Sequence, residues 1–226
     1  MKTLAIISLL ILLPMAANST GVCLREFTFD ESNALAKWGK MVLNGSVKYT
    51  LMKEGEDGYV HALSDKACSA LYYRVGYDLK DYPVLSWKWR VTKFPDLTNA
   101  STPKDRDDYA ARVYVIFPFL NFSSSRFIEY LWSEDLPVGT IIDSPSGDNV
   151  KMIVIRSGKP ESDAWISEKR NVHEDYLKAF GREPGLKAGA VAIMCDADSA
   201  KTQAESMFDE IMIEKVEGTQ EEGAQK

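Results

Sequence analysis

"LSWKWRV", residues 85–91, and "DDYAARVYVIF", residues 107–117, decide the fold class. In the first, Leu85, Trp87, Trp89 and Val91 fall on one side of an extended chain, and Ser86, Lys88 and Arg90 on the other. Successive side chains of a strand point to opposite faces, so one face is packed and the other polar. In the second, Tyr109, Ala111, Val113, Val115 and Phe117 make an apolar face, and Asp108, Ala110, Arg112, Tyr114 and Ile116 make the other. "VKMIVIRSG", residues 150–158, sets Met152, Val154 and Arg156 against Lys151, Ile153, Ile155 and Ser157. This period predicts half-buried antiparallel strands. It also places Arg90, Arg112 and Arg156 on a mixed polar face that one sheet would expose.

Outward from these strings, further strand candidates cover 23–29, 47–52, 59–64, 67–75, 127–133, 165–169, 190–196 and 208–214, each bounded by turn residues. Their spacing predicts a mainly β chain folded as an antiparallel sandwich, not alternating βαβ units. One helix stands out in "RNVHEDYLKAFGREP". Asn171 is its N-cap, Glu174 completes a capping box, and Val172, Tyr176, Ala179 and Phe180 form its apolar stripe. Gly181 ends it in the left-handed conformation. A weaker helical turn is expected over Ala200–Met207, capped by Asp198 or Ser199.

The chain has 226 residues, suiting one domain, and a net charge of -6. An acidic chain lacks the clustered Lys and Arg that nucleic acid or an anionic membrane surface would need. "MKTLAIISLLILLPMAANST" reads as a secretory signal peptide over residues 1–19. Lys2 is its positive region, Leu4–Leu13 its apolar run, and small residues follow Pro14. The run is short for a span, so no membrane insertion is expected after cleavage, and the mature domain, residues 22–215, would be periplasmic or secreted. Residues 216–226 are polar and aperiodic and read as a disordered tail. Three cysteines remain, Cys23, Cys68 and Cys195, with neither zinc nor redox spacing. Buried thiols are the plainer reading; if one pair forms, it is Cys23 with Cys68.

No nucleophile elbow, zinc motif or phosphate loop is present. Carboxylates carry the chemistry instead. "DRDD", 105–108, is either a cluster for sugar hydroxyls, Ca2+ or acid/base work, or an ion-paired start to a strand. "CDADS", 195–199, places Asp196 and Asp198 where they would hold a hard cation such as Ca2+, or cap a turn. Trp87 and Trp89 follow the apolar alternation and belong to the core. Trp132 and Trp165 lie near strand ends and are the better ligand platforms. Loops 121–127 and 144–149 would rim a binding face.

The ordered strings "LSWKWRV", "DDYAARVYVIFP", "EYLWS", "PVGT", "VIRSG", "EKRNVHEDYLKAFGREP" and "AIMCDADSA" together resemble a bacterial family known as domain of unknown function 3047. The resemblance runs from about Phe27 to Glu214. It implies an exported protein with a jelly-roll sandwich similar to galactose-binding-like domains and carbohydrate-binding modules, and it implies no reaction. The family pattern falls on Asp107, Asp108, Tyr109, Arg112, Trp132, Arg156, Arg170, Asn171, Asp175, Asp196 and Asp198. Arg106 stands where the family would have glycine, and "DADSA" lacks the expected asparagine.

The leading expectation is a protein that binds a glycan through Asp107, Asp108, Arg112, Trp132, Arg156, Arg170 and Asp196, with no catalytic set assigned. One alternative is a polysaccharide hydrolase or lyase pairing Asp108 with Asp196 or Glu129. Another is a structural envelope protein without a small ligand.

Overall fold

The protein is described by a computed structural model covering residues 22–121, 124–160 and 162–216. The expected signal peptide and residues 217–226 of the expected tail lie outside the described residues. In chain order the strands are β1 (Cys23–Phe27), β2 (Gly39–Asn44), β3 (Lys48–Glu54), β4 (Asp57–Asp65), β5 (Cys68–Tyr77), β6 (Val84–Lys93) and β7 (Ala111–Phe117). They continue as β8 (Arg126–Ser133), β9 (Ile141–Ser144), β10 (Gly147–Ser157) and β11 (Ile166–Asn171). After helix α1 (Val172–Phe180) come β12 (Ala188–Asp196) and β13 (Gln203–Glu214).

Two sheets face each other as a jelly-roll β-sandwich. One runs β11-β6-β13-β4-β3, with β1 also paired to β13; the other runs β2-β5-β12-β7-β8-β10-β9. Neighbours are antiparallel except β8 and β10, which run parallel, contrary to the all-antiparallel expectation. The chain between them turns back through β9, so β10 re-enters in the direction of β8. The last two strands are central: β12 lies between β5 and β7, and β13 between β4 and β6.

The core is the contact between the two inner faces. Trp87 lies 5.3 Å from Tyr130, and Trp89 5.7 Å from Trp132, so rings on β6 meet rings on β8 across the sandwich. Each such ring buries roughly 150–250 Å², on the order of 4–6 kcal/mol of transfer free energy before entropy is counted. Ala111, Val113, Val115 and Phe117 of β7 face this core, as their alternation predicts. Upstream the period breaks. Ala110 also faces the core, while Tyr109 packs outside it with Leu131, Met152 and Val154.

Helix α1 forms as expected: Asn171 Oδ1 accepts from the Glu174 amide at 3.2 Å, and Gly181 adopts φ 67°. The second helical turn does not form. Residues 198–201 are a turn, and the chain from Gln203 is already β13. The three arginines do not share a face. Arg90 lies in the β6 sheet, whereas Arg112 and Arg156 lie in the β7 sheet. Cys23 and Cys68 do not pair either: β1 and β5 belong to different sheets, and all three thiols are free. Among the described residues, no helix is long and apolar enough to cross a membrane.

Candidate functional site

On the outer face of the larger sheet, Arg112 sits opposite Leu131 on β8 and Met194 on β12. It is 3% exposed. A buried guanidinium needs partners, and three carboxylates supply them. Nη1 donates to Glu129 Oε1 at 2.8 Å, while Nη2 lies 2.9 Å from Asp196 Oδ2 and 3.3 Å from Asp107 Oδ1. Nη2 also donates to the Asp107 carbonyl, and the Tyr109 ring lies 4.7 Å from the guanidinium carbon. Asp196 ties the strand start down further, accepting from the Tyr109 amide at 2.9 Å.

One cation cannot neutralise three carboxylates, two of them buried and the third half-buried. Burial raises Asp196 to about 8 and Glu129 to about 7, against the pull of Arg112. Burial raises Asp107 as well. Arg112 is pushed above its ordinary value by the surrounding negative charge, chiefly Asp196, even though burial opposes this.

Asp108 faces away from this group. Its two oxygens accept from the amides of Ser199, at 3.0 Å, and Ala200, at 2.7 Å. The "DRDD" carboxylate therefore caps the 198–201 turn, a role expected of Asp198 or Ser199. Asp198 instead accepts from the Asn44 side-chain amide at 2.6 Å. Cys68, Asp196 and Asp198 offer ligand atoms within 4.8 Å of one another. Ca2+ takes six to eight oxygens, and this set has a thiol and an Asp196 already held by a guanidinium, so the donors do not suit that ion.

The remaining expected residues lie apart. Trp132 is 2% exposed; its ring lies among Trp89 and Phe94, and its indole N–H donates to the Gly158 carbonyl. It is part of the core and offers no open ring face. Arg156 pairs with Glu168 of the opposite sheet. Arg170 makes a two-pronged pair with Asp175, which also accepts from the Tyr130 hydroxyl at 2.8 Å. Of the predicted grip, only Asp107, Arg112 and Asp196 converge, and they converge on each other.

An open cleft lies on the loop side of this brace. It measures about 840 Å³ and is bounded by the 91–98 segment, Arg106, the 134–135 turn, and Lys159, Pro160 and Asp163. Phe94 and Leu97 supply apolar wall; Lys93 and Asp96 supply a donor and an acceptor. Arg106 pairs with Asp135, and Lys159 with Glu134 at 3.0 Å, so both pairs bridge loops around the cleft. Asp107, next to Arg106 in the chain, is anchored by Arg112, which fixes where the Arg106 side chain starts. Apart from Arg106, the cleft residues read in the sequence as ordinary polar loop, and nothing local marks them as neighbours.

No curated protein sequence matches this chain. Among solved structures it is similar to the xyloglucanase domain of NopAA, a type three effector from Sinorhizobium fredii, in complex with cellobiose. Identity is 14%, with 79% of this chain and 93% of that chain covered and a TM-score of 0.44. It is similar to endoglucanase cel12A from Rhodothermus marinus at 13% identity, 80% and 93% coverage and a TM-score of 0.46. A carbohydrate-binding module described for specific mannan recognition, TmCBM27, is similar at 11% identity, 86% and 97% coverage and a TM-score of 0.38. No residue role is carried over from these. The family model described as Protein of unknown function (DUF3047) matches residues 36–212, most of the chain and all of the strands that build both sheet centres. The chain belongs to the DUF3047 family.

Proposed function

We propose that this is an exported glycan-binding protein and that the loop-side cleft holds the ligand. One observation carries the reading: the cleft mixes donors and acceptors of both charges around apolar wall. Lys93, Arg106 and Lys159 stand against Asp96, Glu134, Asp135 and Asp163, with Phe94 and Leu97 between them. Such a lining favours neither a polyanion nor a polycation. It suits a neutral ligand rich in hydroxyls, each of which donates and accepts. The volume of about 840 Å³ falls within the range of small-ligand sites.

Binding is favoured over hydrolysis by the state of the carboxylates. Asp196 and Glu129 are held by Arg112, Asp108 by two amides, Glu134 by Lys159 and Asp135 by Arg106. A glycosidase needs two carboxyl groups free to face the scissile bond.

Affinity electrophoresis through gels containing xyloglucan, mannan or mixed-linkage glucan tests the proposal, with polygalacturonate as the acidic control. At least one neutral polysaccharide should retard the protein, and Lys93→Ala with Asp96→Ala should weaken retardation about tenfold or more, the scale of one lost polar anchor. No new reducing ends should appear. Wild-type migration unchanged in every gel would overturn the proposal and leave the structural reading.

A further inference from the structure

On the outer face of the smaller sheet, a second concavity of about 120 Å³ is lined by Glu54, Asp57, Tyr59, Lys88, Trp165 and Asp209. Arg90 stands between it and the loop-side cleft, pairing with Glu54 and donating to the Asp163 carbonyl. Trp165, one of the tryptophans singled out by the sequence, meets the Tyr59 ring edge-on at 5.5 Å. Asp209 is 7% exposed, and its Oδ1 has no hydrogen-bond partner among the described residues. An orphaned buried acceptor costs about 1–3 kcal/mol and calls for a donor.

The backbone positions that carboxylate. Between Asp209 and Met212 the pairing of β13 with β6 slips, and Glu210 takes φ 45°. A bulge re-aims side chains beside it, and a non-glycine residue in the left-handed region is strained. The surrounding charge sets the sign of the missing partner. Glu54, Asp57, Asp209 and Glu210, with Asp30 near enough to act on Asp209, stand against Lys88 and Arg90. Lys88 is already paired with Glu210, and Arg90 with Glu54 at 3.3 Å. An ammonium donor satisfies Asp209 and is favoured by the net negative charge; the Tyr59 and Trp165 rings beside it already hold the Arg90 guanidinium, at 5.7 and 4.7 Å, and add only apolar wall.

We propose that this concavity binds a short aliphatic diamine, with one ammonium on buried Asp209 and the other at the rim on Asp57. The two carboxylates sit at different depths, Asp57 exposed and Asp209 buried, which matches a chain carrying a cation at each end. The volume admits about four water equivalents, enough for one ammonium and a few methylenes, with the rest of the chain leading out to the rim.

The test is a titration of isotope-labelled protein with 1,5-diaminopentane, followed by the Trp165 indole N–H resonance, which a Trp165→Phe sample assigns. Saturable shifts are expected with the diamine, weaker ones with n-pentylamine and none with n-pentanol. Asp209→Asn should weaken diamine binding at least tenfold. Asp57→Asn, at an exposed position where folding is not at issue, should bring the diamine down to the affinity of n-pentylamine. Absence of saturable shifts, equal binding of diamine and monoamine by wild type, or full binding by the variants would overturn the proposal. Lys93 and Asp96 line the glycan cleft and not this concavity, so Lys93→Ala with Asp96→Ala should leave diamine binding unchanged.

Discussion

Arg112 Nη2 and Asp196 Oδ2 lie 2.9 Å apart on adjacent strands, and Asp196 also holds the amide of Tyr109, two residues before β7 begins. The pair joins the end of β12 to the start of β7. With Glu129 on β8 it spans three strands of the larger sheet.

Removing the cation should therefore damage stability more than any surface change. Arg112→Ala leaves Glu129, Asp196 and Asp107 without their cation, two of them buried, and a loss of about 3–5 kcal/mol is expected in urea denaturation. Arg112→Lys should recover little, because one ammonium lacks the forked reach to three carboxylates. Arg112→Met combined with Glu129→Gln and Asp196→Asn should be less destabilised than Arg112→Ala alone. If it is more destabilised, charge is not what the brace balances.

The pH dependence follows from the raised carboxyls. Asp196 stands at about 8, Glu129 at about 7 and Asp209 at about 6, whereas unfolded carboxyls titrate near 4. Between these limits the folded chain holds protons that the unfolded chain has released. Stability from these groups is present below about pH 4 and is lost as pH rises through the folded values. The urea midpoint should fall from pH 5 to 8.5, and Asp196→Asn should flatten the slope. A midpoint that rises over this interval would show that the carboxyls are ionised in the folded state.

Asp108→Ala should destabilise by about 1–3 kcal/mol, because the amides of Ser199 and Ala200 lose their acceptor. The 198–201 turn should then exchange its amide hydrogens faster, while β7 is protected as before. Exchange that quickens equally in both would assign Asp108 to the sheet instead.

Thiol counting checks the cysteines. Cys23 is exposed and Cys68 and Cys195 are buried, with burial raising Cys195 to about 12. One thiol should react with a disulfide reagent in the folded protein and three in denaturant. A single reactive thiol in denaturant would mean that two have paired.

The sandwich was legible because period two is a local property: "LSWKWRV" and the residues from Ala111 to Phe117 sort by face without knowledge of any partner. Which sheet a face belongs to is a long-range property, so the alternation groups Arg90 with Arg112 although β6 lies in the smaller sheet and β7 in the larger. Strands β2 and β9 were missed because they are edge strands. "GKMVLN" is almost wholly exposed and "IIDS" has four residues, so neither alternates clearly. Trp132 was open to a better reading. Ile128, Tyr130 and Trp132 share one side of β8, and that side is the core. The cleft gathers residues from four separate stretches of the chain, so no single string could mark it.

The central placement of β12 and β13 bears on synthesis. Until residues 188–214 have been made, β5 has no strand to join it to β7, and β4 none to join it to β6. A nascent or truncated chain ending before Ala188 can form the β3–β4, β2–β5 and β7–β8 pairs, but it is left with unpaired inner edges in both layers until the two C-terminal strands arrive. Open inner edges are templates for pairing with other chains, so completion of the last two strands also closes the molecule to edge-to-edge association.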